Sequence, residues 1–500
     1  MSLQKRFISV ILVILLAAGV MFAGRMEMKS PEGEEEITAW YTREDTIYFW
    51  YSDPELSDYI NKAAVDFGEQ NNVHVFPMLI TVENYIETVN KASVYNEQMP
   101  DAYLLDTSEL EMATLAGLAT EIDDAAGVCN TANFSQVALD AVTYDGKLVG
   151  YPLAYNTSAL VYNKDYLHTW AEEKALAILL EEAEDYVLTD YLANVNAELE
   201  EANESDWVTE LDEDEVDHYE IDSELVPYKE LSDEEKVTAL ESKTAEVYET
   251  ALPQTLNELL TIANTFNAPD GAEGVMTWDV SDIFYNFWMI GDVVNLGGKY
   301  GDDENQISLN NEGSRICLNY YQYLNEFFYI EADAVDYDDV VEDFIDGKML
   351  FTIASVDVVN TLNKAKEDGR IDFEYGFAMI PDINEEISSR NMSTTTAVVV
   401  NGYSEKKELA NAFAAYLVND FADELYTRCG KPAANIKANA AYEDLKVFDA
   451  EYAESVPLPK IIELENFWME LEALFARIWD GADIEEETEK LDETVNLFFL

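Results

Sequence analysis

The stretch GKLVGYPLAYNTSALVYNKD, residues 146–165, is the most specific part of the 500-residue sequence, and strand and helix patterns alternate on its N-terminal side. The run Ile47–Tyr51 is rich in β-branched and aromatic residues and ends at Ser52-Asp53-Pro54, a typical helix start. Further apolar runs at Val73–Ile80 and Ala102–Leu105 are separated by helical patterns. This alternation predicts an α/β lobe with a largely parallel sheet.

A similar alternation begins on the C-terminal side, after residue 250. Met349–Ala354, Tyr375–Met379 and Ala397–Val400 are strand candidates, and Glu463–Trp479 has the apolar stripe of a helix. A second α/β lobe is therefore expected, in agreement with a length of roughly three typical domains.

Residues 169–252, between these two regions, have a different composition. They contain 28 acidic and 4 basic side chains, one proline (Pro227) and no glycine, in runs rich in Ala, Leu and Glu. Such runs favour helix over disorder. We interpret the segment as a solvated helical insertion, and the alternative is a docking or cation-binding element.

The N-terminus has the pattern of a targeting segment. Lys5 and Arg6 precede an apolar run from Phe7 to Ala23, which predicts a secretory signal peptide or an N-terminal anchor over 1–24. A polar tether follows over 25–39, and the protein is expected to be exported, either extracellular or on the cell surface. Val20 stands where a lipoprotein would have its lipidated cysteine, which argues against lipid anchoring.

Composition excludes several function classes. The net charge of −73 at pH 7 repels phosphate backbones, so no nucleic-acid partner is expected. Three cysteines and three histidines are too scattered for a disulfide framework or a zinc site. Phosphate-loop, dinucleotide and hydrolase motifs are absent, so we expect no cofactor and no metal. A glycosidase needs only two carboxylates, so that alternative stays open.

The 146–165 stretch resembles the interlobe crossover of extracellular solute-binding proteins of the maltose-binding type, the capture subunits of ABC sugar importers. Leu256 stands where the family usually has a tryptophan. Further segments resemble family segments in the same order: Ile47–Asp53, Met99–Asp106, Pro253–Leu259, Gly297-Gly298, Phe344–Ile353, Ala397–Val400, Gly430–Ala433 and Phe467-Trp468.

The resemblance implies an α/β, two-lobed, periplasmic-binding-protein-like fold with discontinuous lobes and a hinge cleft. The first lobe would comprise 40–153 plus 394–440 and the second 154–393 plus 441–500, with the acidic helical insertion 169–252 in the second. It also implies a monomeric substrate-binding component that captures a carbohydrate, expected to be an oligosaccharide, and delivers it to ABC permease subunits. Such a protein is not an enzyme. The alternatives are a secreted carbohydrate-active enzyme and a surface interaction protein acting through the insertion.

A sugar site needs aromatic rings for the C–H faces and carboxylates or amides for the hydroxyl groups. Core packing is the alternative role of Trp50 and hinge packing that of Tyr155. By resemblance, Asn156 and Trp468 match sugar-contacting positions of the family. The predicted ligand-binding residues are Trp50, Asp53, Asp106, Tyr155, Asn156, Trp278, Asp279, Ser355, Asp357 and Trp468.

Overall fold

The structure is a computed structural model, and it describes residues 46–95, 99–181, 228–332, 335–464 and 466–499. The predicted targeting segment and tether, and residues 182–227 of the acidic segment, lie outside the described residues. Among the described helices, none is both long and apolar enough to cross a membrane.

One sheet combines strands from both ends of the chain, in the order β14-β13-β3-β1-β2, with β6 also paired to β13. Strands β1 and β3 are parallel, whereas β13 runs antiparallel to β3 and β6. The sheet is therefore mixed, and the prediction of a largely parallel sheet is wrong because β13 enters from the opposite end. Its strands are β1 (Thr46–Tyr51), β2 (His74–Leu79), β3 (Ala102–Asp106), β6 (Tyr151–Asn156), β13 (Met392–Val400) and β14 (Val456–Pro457).

A second sheet has the order β12-β7-β11-β8. Strand β7 is antiparallel to both β11 and β12, and β11 is parallel to β8. Its strands are β7 (Ser158–Asn163), β8 (Gly274–Met276), β11 (Met349–Ser355) and β12 (Tyr375–Ala378). Two short pairs complete the strands: β4 (Thr143–Tyr144) with β5 (Lys147–Leu148), and β9 (Asn295–Leu296) with β10 (Ile307–Ser308). We call the parts built on the first and second sheets the first lobe and the second lobe.

The chain passes between the two sheets in three crossovers. The first crossover is Thr157, between β6 and β7; the second is 379–391, between β12 and β13; the third is 458–464, after β14. The fold is thus two-lobed with a discontinuous first lobe. The lobe boundaries drawn from the sequence stay a prediction, and strand pairing adds β14, which we had assigned to the second lobe, to the first sheet.

Helices flank both sheets. Side-chain caps fix several helix starts, for example Thr255 and Asp336, whose side-chain oxygens accept from the N–H groups of Glu258 and Asp339. The helices are Ser57–Asn71, Tyr85–Tyr95, Leu110–Leu115, Gln136–Ala141, 164–181, Asp233–Glu249, Leu256–Thr265, Glu312–Phe328, Tyr337–Ile345, Val358–Glu367, Lys407–Ala415, Glu424–Cys429, Leu445–Glu454, Phe467–Trp479 and Ile484–Phe498.

The described parts of the acidic segment are helical. Helix 164–181 buries Trp170, whose indole N–H donates to the Thr265 hydroxyl at 2.9 Å. Helix Asp233–Glu249 starts with a capping box at Ser232 and buries only Thr244. Its carboxylates therefore face solvent, as their desolvation cost requires.

Lys460, in the third crossover, is 1% exposed. Its Nζ donates to the carbonyl oxygens of Asp140, at 3.2 Å, and Tyr300. Burial lowers the pKa of this ammonium group to about 8, while the carboxylates of Asp302 and Asp140 oppose the change. The third crossover thus carries a buried amine held by main-chain acceptors.

Candidate functional site

Two predicted carboxylates follow the parallel strands β1 and β3, at the same edge of the first sheet. The Asp53 carboxylate caps the 3-10 turn Pro54–Leu56 and lies 3.0 Å from Lys431 Nζ. Asp106 accepts from the N–H and hydroxyl of Ser108, at 2.9 and 2.6 Å. Burial raises the pKa of Asp106, and these two hydrogen bonds oppose the rise. The strand ends therefore place two differently solvated carboxylates on the first lobe.

Trp50 belongs to the core of the first lobe, because it is 4% exposed and packs with residues such as Tyr103 and Val399. Its indole N–H has no hydrogen-bond partner among the described residues. The structure thus favours core packing, the alternative role of Trp50, over the predicted ligand contact.

The first crossover places Tyr155 and Asn156 differently. Tyr155 is 4% exposed, its ring stacks on Tyr452 with centroids 4.2 Å apart, and its hydroxyl donates to Asp449 at 2.8 Å. These contacts agree with hinge packing, the alternative role of Tyr155, and its ligand contact stays a prediction. Asn156 is half-buried, and its Oδ1 has no hydrogen-bond partner within the described part of the chain.

A cluster of hydroxyl and carboxyl groups ends β11 in the second lobe. The Ser355 hydroxyl lies 3.0 Å from the Tyr337 hydroxyl and 3.2 Å from that of Tyr285, and it also contacts the Asp357 carboxylate. Tyr337 donates to Asp357 at 3.3 Å, and the two tyrosine rings stack with centroids 4.7 Å apart. Burial raises the pKa of both tyrosines, so they remain hydrogen-bond donors at neutral pH. We call these four residues the second-lobe cluster.

The second-lobe cluster brings the predicted residues Ser355 and Asp357 together, but sequence reasoning missed its tyrosines. Tyr285 lies among the aromatic residues 284–288, whose near-helical spacing is typical of core packing. Tyr337 lies in the acidic run 336–339, which by itself indicates only a solvated turn. Their two rings stack although the residues are 52 positions apart, and no local sequence pattern contains a contact over that distance.

The two lobes meet beside this cluster. Asn360, one turn after Asp357, donates through Nδ2 to the Gly430 carbonyl oxygen at 2.9 Å. Gly430 precedes Lys431, the partner of Asp53. Predicted residues Asp53 and Asp357, from different lobes, therefore lie close to one contact between the lobes.

Trp278 and Asp279 lie in the core of the second lobe, and their predicted ligand contacts stay predictions. The Trp278 ring is 0% exposed, packs edge-on against Trp479 and donates its N–H to Asn286 Oδ1 at 2.9 Å. Asp279 is 4% exposed and accepts from the N–H and hydroxyl of Ser281 at 2.9 and 2.7 Å. A ring without exposed surface cannot stack on a sugar in this arrangement.

Trp468 differs from Trp278 because it is only half-buried. Its ring contacts Phe467 at 5.0 Å and Phe287 at 6.2 Å between centroids, both in edge-to-face arrangements. Among the described residues, no group of three or more His, Cys, Asp or Glu side chains is arranged to hold a metal ion.

Two family models match the chain, over residues 62–186 and 201–422, and both describe bacterial extracellular solute-binding proteins. Together they cover more than half of the sequence. The chain belongs to the bacterial extracellular solute-binding proteins. Members of this family bind substrates rather than convert them.

Solved structures of other solute-binding proteins share this fold. A cyclo/maltodextrin-binding protein in complex with maltotetraose has a TM-score of 0.65 and 16% identity, covering 94% of this chain and 98% of that one. The maltose-binding periplasmic protein of Listeria monocytogenes, in complex with maltose, has a TM-score of 0.64 and 18% identity, covering 91% and 97%. At such identities the similarity establishes the two-lobed fold alone.

A curated relative is the maltodextrin-binding protein of Bacillus subtilis (strain 168). It is 25% identical over 210 residues, which are 40% of this chain and 48% of the relative. The aligned part thus spans about half the length of that solute-binding protein.

Proposed function

We propose that this chain is the substrate-binding component of an ABC importer. It captures a carbohydrate, expected to be an oligosaccharide, between its two lobes and delivers it to a membrane permease without chemical conversion. The observation that carries the proposal is the pair of sheets joined by three crossovers, because lobes connected in this way can close on a ligand. The similarity to a maltodextrin-binding protein supports a sugar as that ligand.

The candidate residues suit the chemistry of a sugar. Asp53, Asp106 and Asp357 offer acceptors for hydroxyl groups, and the buried Oδ1 of Asn156, which has no partner among the described residues, would become another if the lobes move. The half-buried Trp468 ring can pack against a C–H face. Closure of the lobes would exclude water from these contacts. The permease could then distinguish the closed, ligand-bound conformation from the open one.

The location and assembly follow from the same proposal. The N-terminal signal segment directs export to the cell surface or the extracellular space, the protein acts as a monomer, and its partners are permease subunits. The lobe boundaries at 153/154 and 393/394 belong to this proposal as well, and the third boundary, predicted at 440/441, moves into the crossover at 458–464 because β14 pairs with the first sheet.

A thermal-shift and tryptophan-fluorescence panel tests the proposal. The full chain is titrated with glucose, maltose, maltotriose, maltotetraose, cellotetraose and galactose, and the mixtures are analysed for hydrolysis by chromatography. A sugar at 100 times its Kd should stabilise the fold by about 2.7 kcal/mol. A reversible shift with intact sugar supports the proposal; a hydrolysed sugar, or no shift with any member of the panel, contradicts it.

A further inference from the structure

Asn391, the last residue of the second crossover, contacts the chain at both other crossovers. Its Nδ2 donates to the Ser158 carbonyl oxygen at 2.8 Å, and its Oδ1 accepts from the Ser158 hydroxyl at 3.1 Å, directly after the first crossover. Its main-chain carbonyl accepts from the N–H of Val456 at 2.8 Å, in the strand that leads into the third crossover. One residue thus links the second crossover to the strands that adjoin the first and third crossovers.

Glu451, on helix Leu445–Glu454, holds the second crossover at both ends. Its Oε2 accepts from Asn391 Nδ2 at 2.7 Å, and its Oε1 accepts from the main-chain N–H of Ile380 at 2.6 Å. The side chain is 2% exposed. The carboxylate therefore fixes residues 380 and 391 relative to each other and to the helix that continues into β14.

The charge of Glu451 is costly to bury, because both of its partners are neutral N–H groups. Burial raises its pKa to about 8 although these N–H donors oppose the rise, and the negative charge of Asp382 adds to it. Arg390 does not offset this charge, since its guanidinium donates to the carbonyl oxygens of Glu454 and Ser455. Asp449, on the same helix, bonds to Tyr155 and Asn439.

We propose that Glu451 is a positioning residue for lobe closure: its carboxylate sets the geometry of the second crossover and thereby the ligand affinity of a site that it does not touch. The inference rests on the proposed function, because closure matters only if a ligand is held between the lobes. Glutamine has the same shape but one acceptor oxygen, so it would leave one of the two N–H donors facing an amide group.

The test compares the full chain with Glu451→Gln and with the matched control Glu487→Gln. Glu487 is also buried in the second lobe, but it pairs with Arg477 and Lys490 rather than with a crossover. Maltotetraose affinity is measured by calorimetry from pH 6 to 9.5, and the ligand-free radius of gyration by small-angle X-ray scattering. Above pH 8, where Glu451 is ionised, we expect Glu451→Gln to weaken binding about tenfold, the loss of one hydrogen bond to a charged group, and to enlarge the ligand-free radius of gyration.

The pH dependence of the maltotetraose affinity distinguishes a positioning role of Glu451 from a purely structural one. Ionised Glu451 accepts both N–H groups, so the affinity of the unmodified protein should rise as the pH passes through about 8, while Glu451→Gln shows no such rise. Equal affinities, pH profiles and radii for the unmodified protein and Glu451→Gln would overturn the inference.

If maltotetraose does not bind the unmodified protein, the scattering measurement still decides: an unchanged ligand-free radius overturns the inference, and a changed one supports it. If Glu451→Gln fails to fold, a flat pH profile of the unmodified protein overturns it.

Discussion

The exposure of Trp468 and Trp278 separates a binding role from a packing role. Trp468 is half-buried, whereas Trp278 is fully buried against Trp479. We expect Trp468→Ala to weaken sugar binding by about 1–3 kcal/mol, the cost of a lost aromatic contact. Trp278→Ala should instead cost about 3–5 kcal/mol of folding stability, because it leaves a cavity in the core. Calorimetric titration and chemical denaturation measure both effects; an unchanged affinity of Trp468→Ala would contradict the binding role.

The Tyr337 hydroxyl connects Ser355 with Asp357 in the second-lobe cluster. Tyr337→Phe removes one donor to the Asp357 carboxylate and leaves the ring stack with Tyr285 in place. We expect sugar affinity to fall about five- to tenfold, with stability changed by about 1 kcal/mol or less. Tyr323→Phe, at a 49% exposed position, is the matched control and should bind like the unmodified protein. Equal binding by Tyr337→Phe and the control would place the cluster outside the site.

The sequence predicted residue types better than residue surroundings. Asp53, Asp106, Ser355 and Asp357 follow strands, and strand ends can be read from local patterns. Trp278 follows a strand in the same way, but its burial depends on Trp479, about 200 positions further along the chain. No local pattern contains that distance, which explains why a core tryptophan was predicted to bind ligand.

At the scale of elements, the middle of the acidic segment 169–252 can be removed while the residues at its two ends, which pack against the second lobe, are kept. Helix 164–181 buries Trp170, Ala171 and Ala175, so deletion from residue 169 would open the core of the second lobe. Replacement of residues 182–227 by a short Gly/Ser linker should change sugar affinity less than threefold and leave cooperative unfolding intact. Titration and thermal denaturation of this variant check both expectations. Lost binding by a folded variant would show that the segment belongs to the ligand site.

Strand positions were predicted well, and strand directions were not. The runs Ile47–Tyr51, Ala102–Leu105 and Met349–Ala354 lie within β1, β3 and β11. Alternation and β-branched residues mark a strand, but they carry no information about its direction. The antiparallel entry of β13 is set by the second crossover, whose path depends on contacts such as those of Asn391.

For the whole molecule, two buried groups predict an unusual dependence of stability on pH. The pKa of Glu451 is raised from 4.5 to about 8, so the folded chain binds that proton more tightly and the free energy of unfolding falls between these pH values. The pKa of Lys460 is lowered from 10.5 to about 8, so the unfolded chain binds that proton more tightly and the free energy of unfolding rises above pH 8. A stability minimum near pH 8 is expected.

Thermal denaturation from pH 5 to 10 at constant ionic strength measures this minimum. Glu451→Gln should remove the fall below pH 8, and Lys460→Met should remove the rise above it. The ionic strength is kept constant because the chain has a net charge of −73, and salt screens the repulsion between its acidic side chains. A monotonic profile that neither variant changes would contradict the assignment to these groups.

The place of β13 between β3 and β6 has a consequence for biosynthesis. β3 and β6 leave the ribosome long before β13, and the roughly 235 residues that separate β6 from β13 take about 10–50 s to translate. The second sheet can assemble as soon as residue 378 emerges, whereas the first sheet still lacks the strand that joins β3 to β6. If the chain is exported as we propose, its N-terminal half would stay incompletely folded until β13 has been synthesised, a condition that suits passage through a translocation channel.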